Sequence, residues 1–446
     1  MEQKGHNEVN FTAKIKALFA WIAKTILVLT AGAVAGLLML LVVYKLGTGM
    51  IYSHILESLP ILEKEGNSYD IGGIEAYITD SFDDAYFLNQ AMVGDEHGLL
   101  KTALNGYAFA PRGVDSPAEA LTECLKSGID SPDLTVGAPL VRFWCGYLVP
   151  LKLLLKFLTL SQVRMLNLYL QPLIVIMMIL LMIRKGLGRY VFAVFLPYLL
   201  LGPVSMELCL AYAGYFYCTF IPCVLLLLYY EKLRGKWIWL FFQITGMAAI
   251  YLNINFFQLI SFAFPFVLLC LMDKRAGTGR ETTIPEGIRK FAVCFTNWFV
   301  GFAGMMIMKW IAYAILVDRA ILTDMYNKIV FRSGSADEAG NAISRWDAVM
   351  KNIGFILSMR SWIMVEIIFI ILCIILSIKY KTGKPSVKTI PLSVFMVALT
   401  IVLIIFRYAL FPNHVWTHEW VMYRLCAIPV LVFNVCLIYN LFTSSL

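Results

Sequence analysis

Two adjacent acidic residues near the start of the chain could carry chemistry. Asp83 and Asp84 follow Asp80 closely and precede an amphipathic run. A carboxylate in this position could act as a general base toward an incoming hydroxyl, or ligate a divalent cation such as Mg²⁺ or Mn²⁺. The same pattern also predicts a plain helix start, with Asp80 as N-cap and Asp83 at the third position. The two interpretations are compatible, since a helix N-terminus also suits a phosphate.

Two of the five histidines lie close together just before the last apolar run. If the segment continues the last helix, His414 and His418 share one face, and Arg424 lies about a turn and a half further along. Imidazole and guanidinium groups together suit a phosphate or pyrophosphate ester. The alternative is an interfacial aromatic belt, with Trp416 and Trp420 at headgroup depth and Arg424 snorkelling.

The composition is that of a polytopic membrane protein. Of 446 residues, 60% are hydrophobic and 15% are charged, whereas soluble proteins have about 45–50% apolar and about 25% charged residues. This excludes cytosolic enzymes and DNA-binding proteins. The net charge of +8 is therefore interpreted as an asymmetry between loops, and no nucleic-acid partner is expected.

Apolar runs long enough to cross a membrane define the expected topology, because a bilayer core of about 30 Å needs roughly 20 helical residues. We predict an all-α protein with about ten transmembrane helices in a single membrane domain, 1–446. The predicted spans are Thr25–Tyr44, Met165–Ile183, Tyr190–Val204, Leu208–Tyr230, Trp237–Asn253, Phe256–Met272, Phe291–Val317, Ser361–Ile378, Ile390–Leu410 and Val421–Phe442. Tyr190–Val204 is short and contains two prolines, so it could instead be a broken or re-entrant pair with the run that follows it.

A further apolar run, Leu148–Leu160, is too short to be counted as a span. Its thirteen residues reach only about 20 Å as a helix. Lys152, Lys156 and Thr159 would form one polar face, so we predict an interfacial helix whose two lysines lie near anionic headgroups. With this assignment the basic loops, such as the one containing Lys232, all fall on one side. The positive-inside rule then predicts a multi-pass protein with a cytoplasmic N-terminus; the plasma membrane as its location is what the family resemblance given below implies.

Two long outer loops result, at 45–164 and 318–360. Between residues 45 and 145 there are fifteen acidic residues against six basic ones, so the first loop is negative although the whole chain is positive. No CxxC, HExxH or P-loop pattern occurs. Only Cys124 and Cys145 lie in an outer loop, and either a disulfide or two free thiols fits the sequence.

Charged residues at membrane depth are costly and often functional. The candidates are Glu207, Lys309, Glu366, Arg407 and Arg424. They could pair between helices or, for Glu207, line a cleft. Snorkelling could account in part for Lys309 and Arg407.

Taken together, these features resemble the GT-C class of membrane glycosyltransferases: one span, a long acidic outer loop with an Asp-Asp pair, an interfacial helix and many further spans. Two segments, Arg142–Leu148 with Lys152 after it and Asn413–Arg424, are similar to segments of bacterial polytopic proteins of that kind. Cys145 stands where that pattern has a histidine, so no catalytic role is carried over to it.

The resemblance implies transfer of a sugar from a polyprenyl-phosphate carrier to an acceptor on the outer face, with the lipid tail in a groove between spans. Asp83 or Asp84 would be the base or metal-holding acid. His414, His418, Arg424 and Arg332 would neutralise the leaving phosphate. Two further candidates for substrate binding are Arg142 and Glu207.

Two other functions fit the same sequence. A flippase or transporter of a lipid-linked sugar or another anion would need no acid, although no internal repeat is seen. A surface-polysaccharide polymerase or ligase would use the later loop, where Arg319, Arg332, Arg345 and Lys351 lie.

Overall fold

The chain folds almost entirely into helices. The computed structural model describes residues 2–71, 78–95, 97–114, 116–129, 131, 134–137, 139–254, 256–277, 284–336, 340–380 and 390–442, with the backbone alone described at 2–13, 284, 390 and 392. The helices of the first half are α1 Glu2–Tyr44, α2 Gly49–Leu56, α3 Leu59–Glu65, α4 Ser81–Met92, α5 Leu99–Asn105, α6 Pro117–Ser127, α7 Leu148–Leu155, α8 Leu160–Arg184, α9 Val191–Leu200, α10 Pro203–Leu208 and α11 Leu210–Leu233.

The second half continues the bundle without strands among its described residues. Its helices are α12 Ile238–Tyr251, α13 Ile260–Arg275, α14 Ile284–Leu316, α15 Ile321–Ser333, α16 Arg345–Ser358, α17 Arg360–Lys379, α18 Ile390–Leu410, α19 Pro412–Thr417, α20 Glu419–Met422 and α21 Ala427–Leu441. Two small antiparallel sheets lie in the 45–164 segment: β1 Tyr69–Asp70 with β2 Ile78–Thr79, and β3 Ala108–Pro111 with β4 Leu134–Gly137.

Seven segments of the described chain are long and apolar enough to cross a membrane. They are Lys14–Tyr44, Leu160–Arg184, Leu210–Leu233, Pro285–Leu316, Arg360–Lys379, Ser393–Leu410 and Glu419–Leu441. The protein is therefore a multi-pass membrane protein, as its composition predicts.

By length, the predicted count of ten is not confirmed, because three of the runs form shorter helices. α9, α12 and α13 have 10, 14 and 16 residues, or about 15, 21 and 24 Å. The first of these ends because Gly202, with a φ of 72°, turns the chain between α9 and α10. The predicted break within Tyr190–Val204 is thus present.

The short helix α12 is held by very close packing against α14. A Cβ atom on Gly246 would overlap the carbonyl oxygen of Trp298, and one on Gly301 would overlap that of Gln243. Glycines at such a crossing let two backbones approach, which is a main source of helix association inside a membrane.

We expect Gly246→Ala to destabilise the protein, because the added methyl group meets backbone that cannot rotate away. Overpacking of this kind costs about 1–3 kcal/mol. Thermal unfolding of the purified protein in detergent measures the loss. Gly354→Ala is the control, since a Cβ there meets nothing within 4 Å, and an equal fall in both variants would contradict this account of the crossing.

The 45–164 segment packs on one end of the bundle, the end at which α1 finishes and α8 begins; we call this the loop end. The indole of Trp144 donates to the Met305 carbonyl at 2.7 Å. The Lys309 ammonium is buried and donates to the Leu104 carbonyl. The Lys309 side chain therefore links α14 to the 45–164 segment by a hydrogen bond, and snorkelling toward the membrane surface does not explain its position.

The prediction for Lys152 is wrong. α7 is too short to cross a membrane, as expected, but the Lys152 side chain is fully buried. Its ammonium donates to the carbonyls of Ala91 at 3.0 Å and Val93 at 2.8 Å and lies over the Tyr44 ring. Carbonyls at the end of α4 have no helical partner, so they attract this cation inward, away from lipid headgroups.

No disulfide joins Cys124 to Cys145, a pairing that the sequence leaves open. Cys124 and Cys145 are both free and buried. Cys145 instead lies near the carbonyls of Leu140 and Phe143, with its thiol 3.9 Å from each.

Candidate functional site

Three carboxyl groups lie at the start of α4, and we call Asp80, Asp83 and Asp84 the acid turn. The Asp80 side chain accepts a hydrogen bond from the backbone N–H of Asp83 at 3.2 Å. Asp80 is thus the N-cap, which confirms the helix start predicted from the sequence. The turn lies at the loop end, where α4 meets α11.

Asp84 ties the acid turn to the first residues of α11. Its buried carboxyl accepts from the backbone N–H groups of Leu210 at 3.0 Å and Ala211 at 2.9 Å and from the Cys209 thiol at 3.1 Å. Arg164 lies 3.5 Å away. Burial raises the pKa of Asp84, and the charge of Arg164 and the two amides oppose that rise. Both oxygens of the Asp84 carboxyl accept hydrogen bonds from the first backbone N–H groups of α11, so this side chain caps the helix.

Arg164 joins the same network from α8. Its guanidinium makes two parallel hydrogen bonds with Glu65, at 2.6 and 2.8 Å. Bidentate pairs of this type are among the strongest polar contacts in proteins. Sequence reasoning missed both residues, because a carboxylate 99 positions away from its arginine leaves no local signal.

Asp83 differs from its neighbours because it is only half-buried. Burial raises the pKa of Asp83 most, followed by the charge of the adjacent Asp80 carboxyl and a hydrogen bond to it. Burial likewise raises the pKa of Asp80 to about 6, while the charge of Arg424 lowers it. Of the three acids, Asp83 is the only one whose side chain is partly exposed, so it is the candidate for proton transfer.

Arg424 is buried beside the acid turn. Its guanidinium donates to the carbonyls of Leu201 at 2.8 Å and Trp420 at 2.7 Å and to the Ser205 hydroxyl at 2.9 Å. It also lies 4.4 Å from the Tyr212 ring. With 1% of its surface exposed, Arg424 does not snorkel. It lies within electrostatic reach of Asp80.

The two histidines form a second group, which we call the histidine cluster: His414, His418, Phe256, Arg332 and Arg407. The His414 and His418 rings lie 5.1 Å apart, and both pack on Phe256, at 5.5 and 5.0 Å. The Arg407 guanidinium is 3.4 Å from the nearer nitrogen of His414. Burial lowers the pKa of His414 well below its usual range and that of His418 to about 4, and the charge of Arg332 adds to both effects.

The predicted continuation of the last helix through this segment is wrong. α19 ends at Thr417, and His418 has a non-helical backbone, with φ −127° and ψ 39°. The two rings still meet, because the chain turns around Phe256. Arg424 consequently faces the acid turn, apart from the histidines.

The remaining predicted residues are Arg142, Arg332 and Glu207. Arg142 is within electrostatic reach of Tyr86 on α4 and of Arg332 in the histidine cluster, and burial lowers its pKa. It therefore lies near both α4 and the histidine cluster. Arg332 itself donates to the Asn413 side chain at 2.8 Å. Glu207 is buried on α10 without a hydrogen bond or ion pair to any described residue, and burial raises its pKa to about 7.

Within the described ranges, no group of three or more His, Cys, Asp or Glu side chains could hold a metal ion. No protein-family model, curated protein or solved structure matches the chain. The site is therefore interpreted from its geometry alone.

We expect Asp84→Ala to reduce stability, because it leaves the two buried amides at the start of α11 without an acceptor. An unsatisfied buried donor costs about 1–3 kcal/mol. Thermal unfolding in detergent tests this, with Asp95→Asn as the control, since Asp95 is exposed on the same loop. Equal unfolding temperatures for Asp84→Ala and Asp95→Asn would contradict a capping role for Asp84.

Proposed function

We propose that this protein is a GT-C-like membrane glycosyltransferase, which moves a sugar from a polyprenyl-phosphate carrier to an acceptor at the outer face of the membrane. The observation that carries the proposal is the acid turn: Asp83 is half-buried there, and the buried cation Arg424 is within electrostatic reach of the neighbouring Asp80. A base for the acceptor and cations for a phosphate then lie at the same end of one bundle.

In this reaction Asp83 takes the proton from the acceptor hydroxyl, whose oxygen attacks the anomeric carbon of the sugar. The bond from that carbon to the phosphate oxygen breaks, and polyprenyl phosphate leaves with the bonding electrons. Arg424, Arg332 and Arg142 offset the charge that develops on the phosphate. The histidines, which are neutral at pH 7 because their pKa values are lowered, would contribute hydrogen bonds.

If the reaction uses Mg²⁺ or Mn²⁺, Asp80 and Asp83 are the residues that would hold it. They are adjacent carboxyl groups, and one of them is partly accessible. Carboxylate oxygens are the ligands that these hard cations prefer.

The topology that accompanies this function has ten crossings and a cytoplasmic N-terminus in the plasma membrane. α9, α12 and α13 would cross inside the bundle, where protein rather than lipid surrounds their ends. The basic residues Arg184, Lys232 and Lys274 lie at the end opposite the acid turn, which supports placing the acid turn outside.

A flippase or transporter of a lipid-linked sugar is the second candidate. It is favoured by a cavity of about 790 Å³ that runs beside α13 from Lys274 to Leu259. Such a protein would move the lipid across the membrane without releasing polyprenyl phosphate, which separates it from the transferase.

We expect Asp83→Asn to abolish release of polyprenyl phosphate by the purified protein supplied with polyprenyl-phosphate sugars, because the amide cannot accept the proton. In the unchanged protein the rate should rise with pH in a range above that of an ordinary aspartate, because burial and the adjacent Asp80 carboxyl raise the pKa of Asp83. Asp95→Asn should leave the rate unaltered. Normal release by Asp83→Asn would remove this residue from the mechanism.

Arg332→Gln should weaken binding of the lipid phosphate and raise KM about tenfold or more, since a charge-assisted hydrogen bond is worth about 1.5–3 kcal/mol. Steady-state kinetics with the same substrates measure the change. Arg319→Gln is the matched control, because Arg319 is exposed in the same segment. Equal KM values for the two variants would argue against a phosphate at the histidine cluster.

A further inference from the structure

A long groove lies between α13, α14, α18 and α21. Its volume is about 790 Å³, within the range of roughly 300–1,000 Å³ that is usual for ligand pockets. Apolar side chains from all four helices line most of it, among them Phe266, Phe291, Met396, Leu403 and Val432.

The groove runs along the whole of α13. Leu259 lines it near the loop end and Lys274 at the other, a distance of about 22 Å at 1.5 Å per residue. This is more than half of a hydrocarbon core of about 30 Å. A groove of this length and lining suits one extended hydrocarbon chain.

Charged residues surround the groove at the end away from the acid turn, which we call the basic end. Arg234, Lys274 and Lys290 line it there, against Asp273 and Glu286. Lys290 is already paired with Asp273, and Arg234 with Glu231 at 3.1 Å. Lys274 lies 5.4 Å from the Tyr439 ring and has no carboxylate partner among the described residues. An aromatic-backed cation at this mouth is therefore available to an anion.

We propose that the groove binds a hydrocarbon chain of an anionic phospholipid, with the lipid phosphate held by Lys274 at the basic end. Charge complementarity selects an anionic over a zwitterionic lipid, since a basic residue near an anionic headgroup contributes about 1 kcal/mol. The site is separate from the histidine cluster and does not depend on the proposed transferase activity.

The experiment is lipid retention by the purified full-length protein. The protein in detergent is incubated with equimolar phosphatidylglycerol and phosphatidylcholine, and native mass spectrometry counts the lipid that stays bound. We expect phosphatidylglycerol to be retained preferentially, and Lys274→Gln to reduce its retention about fivefold. Lys236→Gln, at the same end but outside the groove, should have no such effect.

A second pair of variants tests the chain-binding part. Ala263→Trp places a large ring in the groove and should remove retention of both lipids, whereas Val402→Trp, on the exposed side of α18, should not. Equal retention of the two lipids by the unchanged protein, or equal effects of Lys274→Gln and Lys236→Gln, would overturn the headgroup assignment. Displacement of phosphatidylglycerol by polyprenyl phosphate to the same extent with and without Lys274→Gln would assign the groove to the carrier instead.

Discussion

The capping of α11 by Asp84 is the interaction on which the loop end of the protein depends. One carboxyl satisfies the first amides of a membrane helix and approaches Arg164, which in turn holds Glu65. A helix start inside a membrane protein cannot rely on water for its free amides. The 45–164 segment therefore supplies the missing acceptor, and this contact couples the segment to the bundle. The position of Asp83, one residue earlier, is a result of that constraint.

The acid turn and the histidine cluster are positioned by breaks in the backbone more than by long helices. Gly202 separates α9 from α10 and exposes the carbonyl that Arg424 binds. His418 interrupts the last apolar segment, so that both histidines turn toward Phe256 while Arg424 turns toward the acid turn. Arg142 is within electrostatic reach of Tyr86 on α4 and of Arg332 in the histidine cluster. Such irregular backbone is tolerated at membrane depth where protein surrounds it, and it brings side chains from distant parts of the sequence together.

Local features were predictable from the sequence, whereas long-range partners were not. The N-cap role of Asp80 and the break in Tyr190–Val204 follow from residue types and spacing alone. Lys152 was assigned to lipid headgroups because its carbonyl partners lie about sixty residues earlier in the chain. The pairing of Arg164 with Glu65 and the separation of Arg424 from the histidines depend on packing in the same way. Hydropathy also cannot show where helices end within a run such as Trp237–Asn253, whose helix α12 has only 14 residues.

The surroundings of Arg424 have a consequence for any ligand that approaches it. Two carbonyls, a hydroxyl and an aromatic ring satisfy its hydrogen-bonding groups, and all four partners are uncharged. Dipoles can hold a guanidinium in place without cancelling its monopole, so its positive potential extends into the neighbouring low-dielectric space. Had a carboxylate filled that place, the pair would present almost no net field. The fold thus holds a buried guanidinium through uncharged partners, within electrostatic reach of the Asp80 carboxyl, whose pKa it lowers.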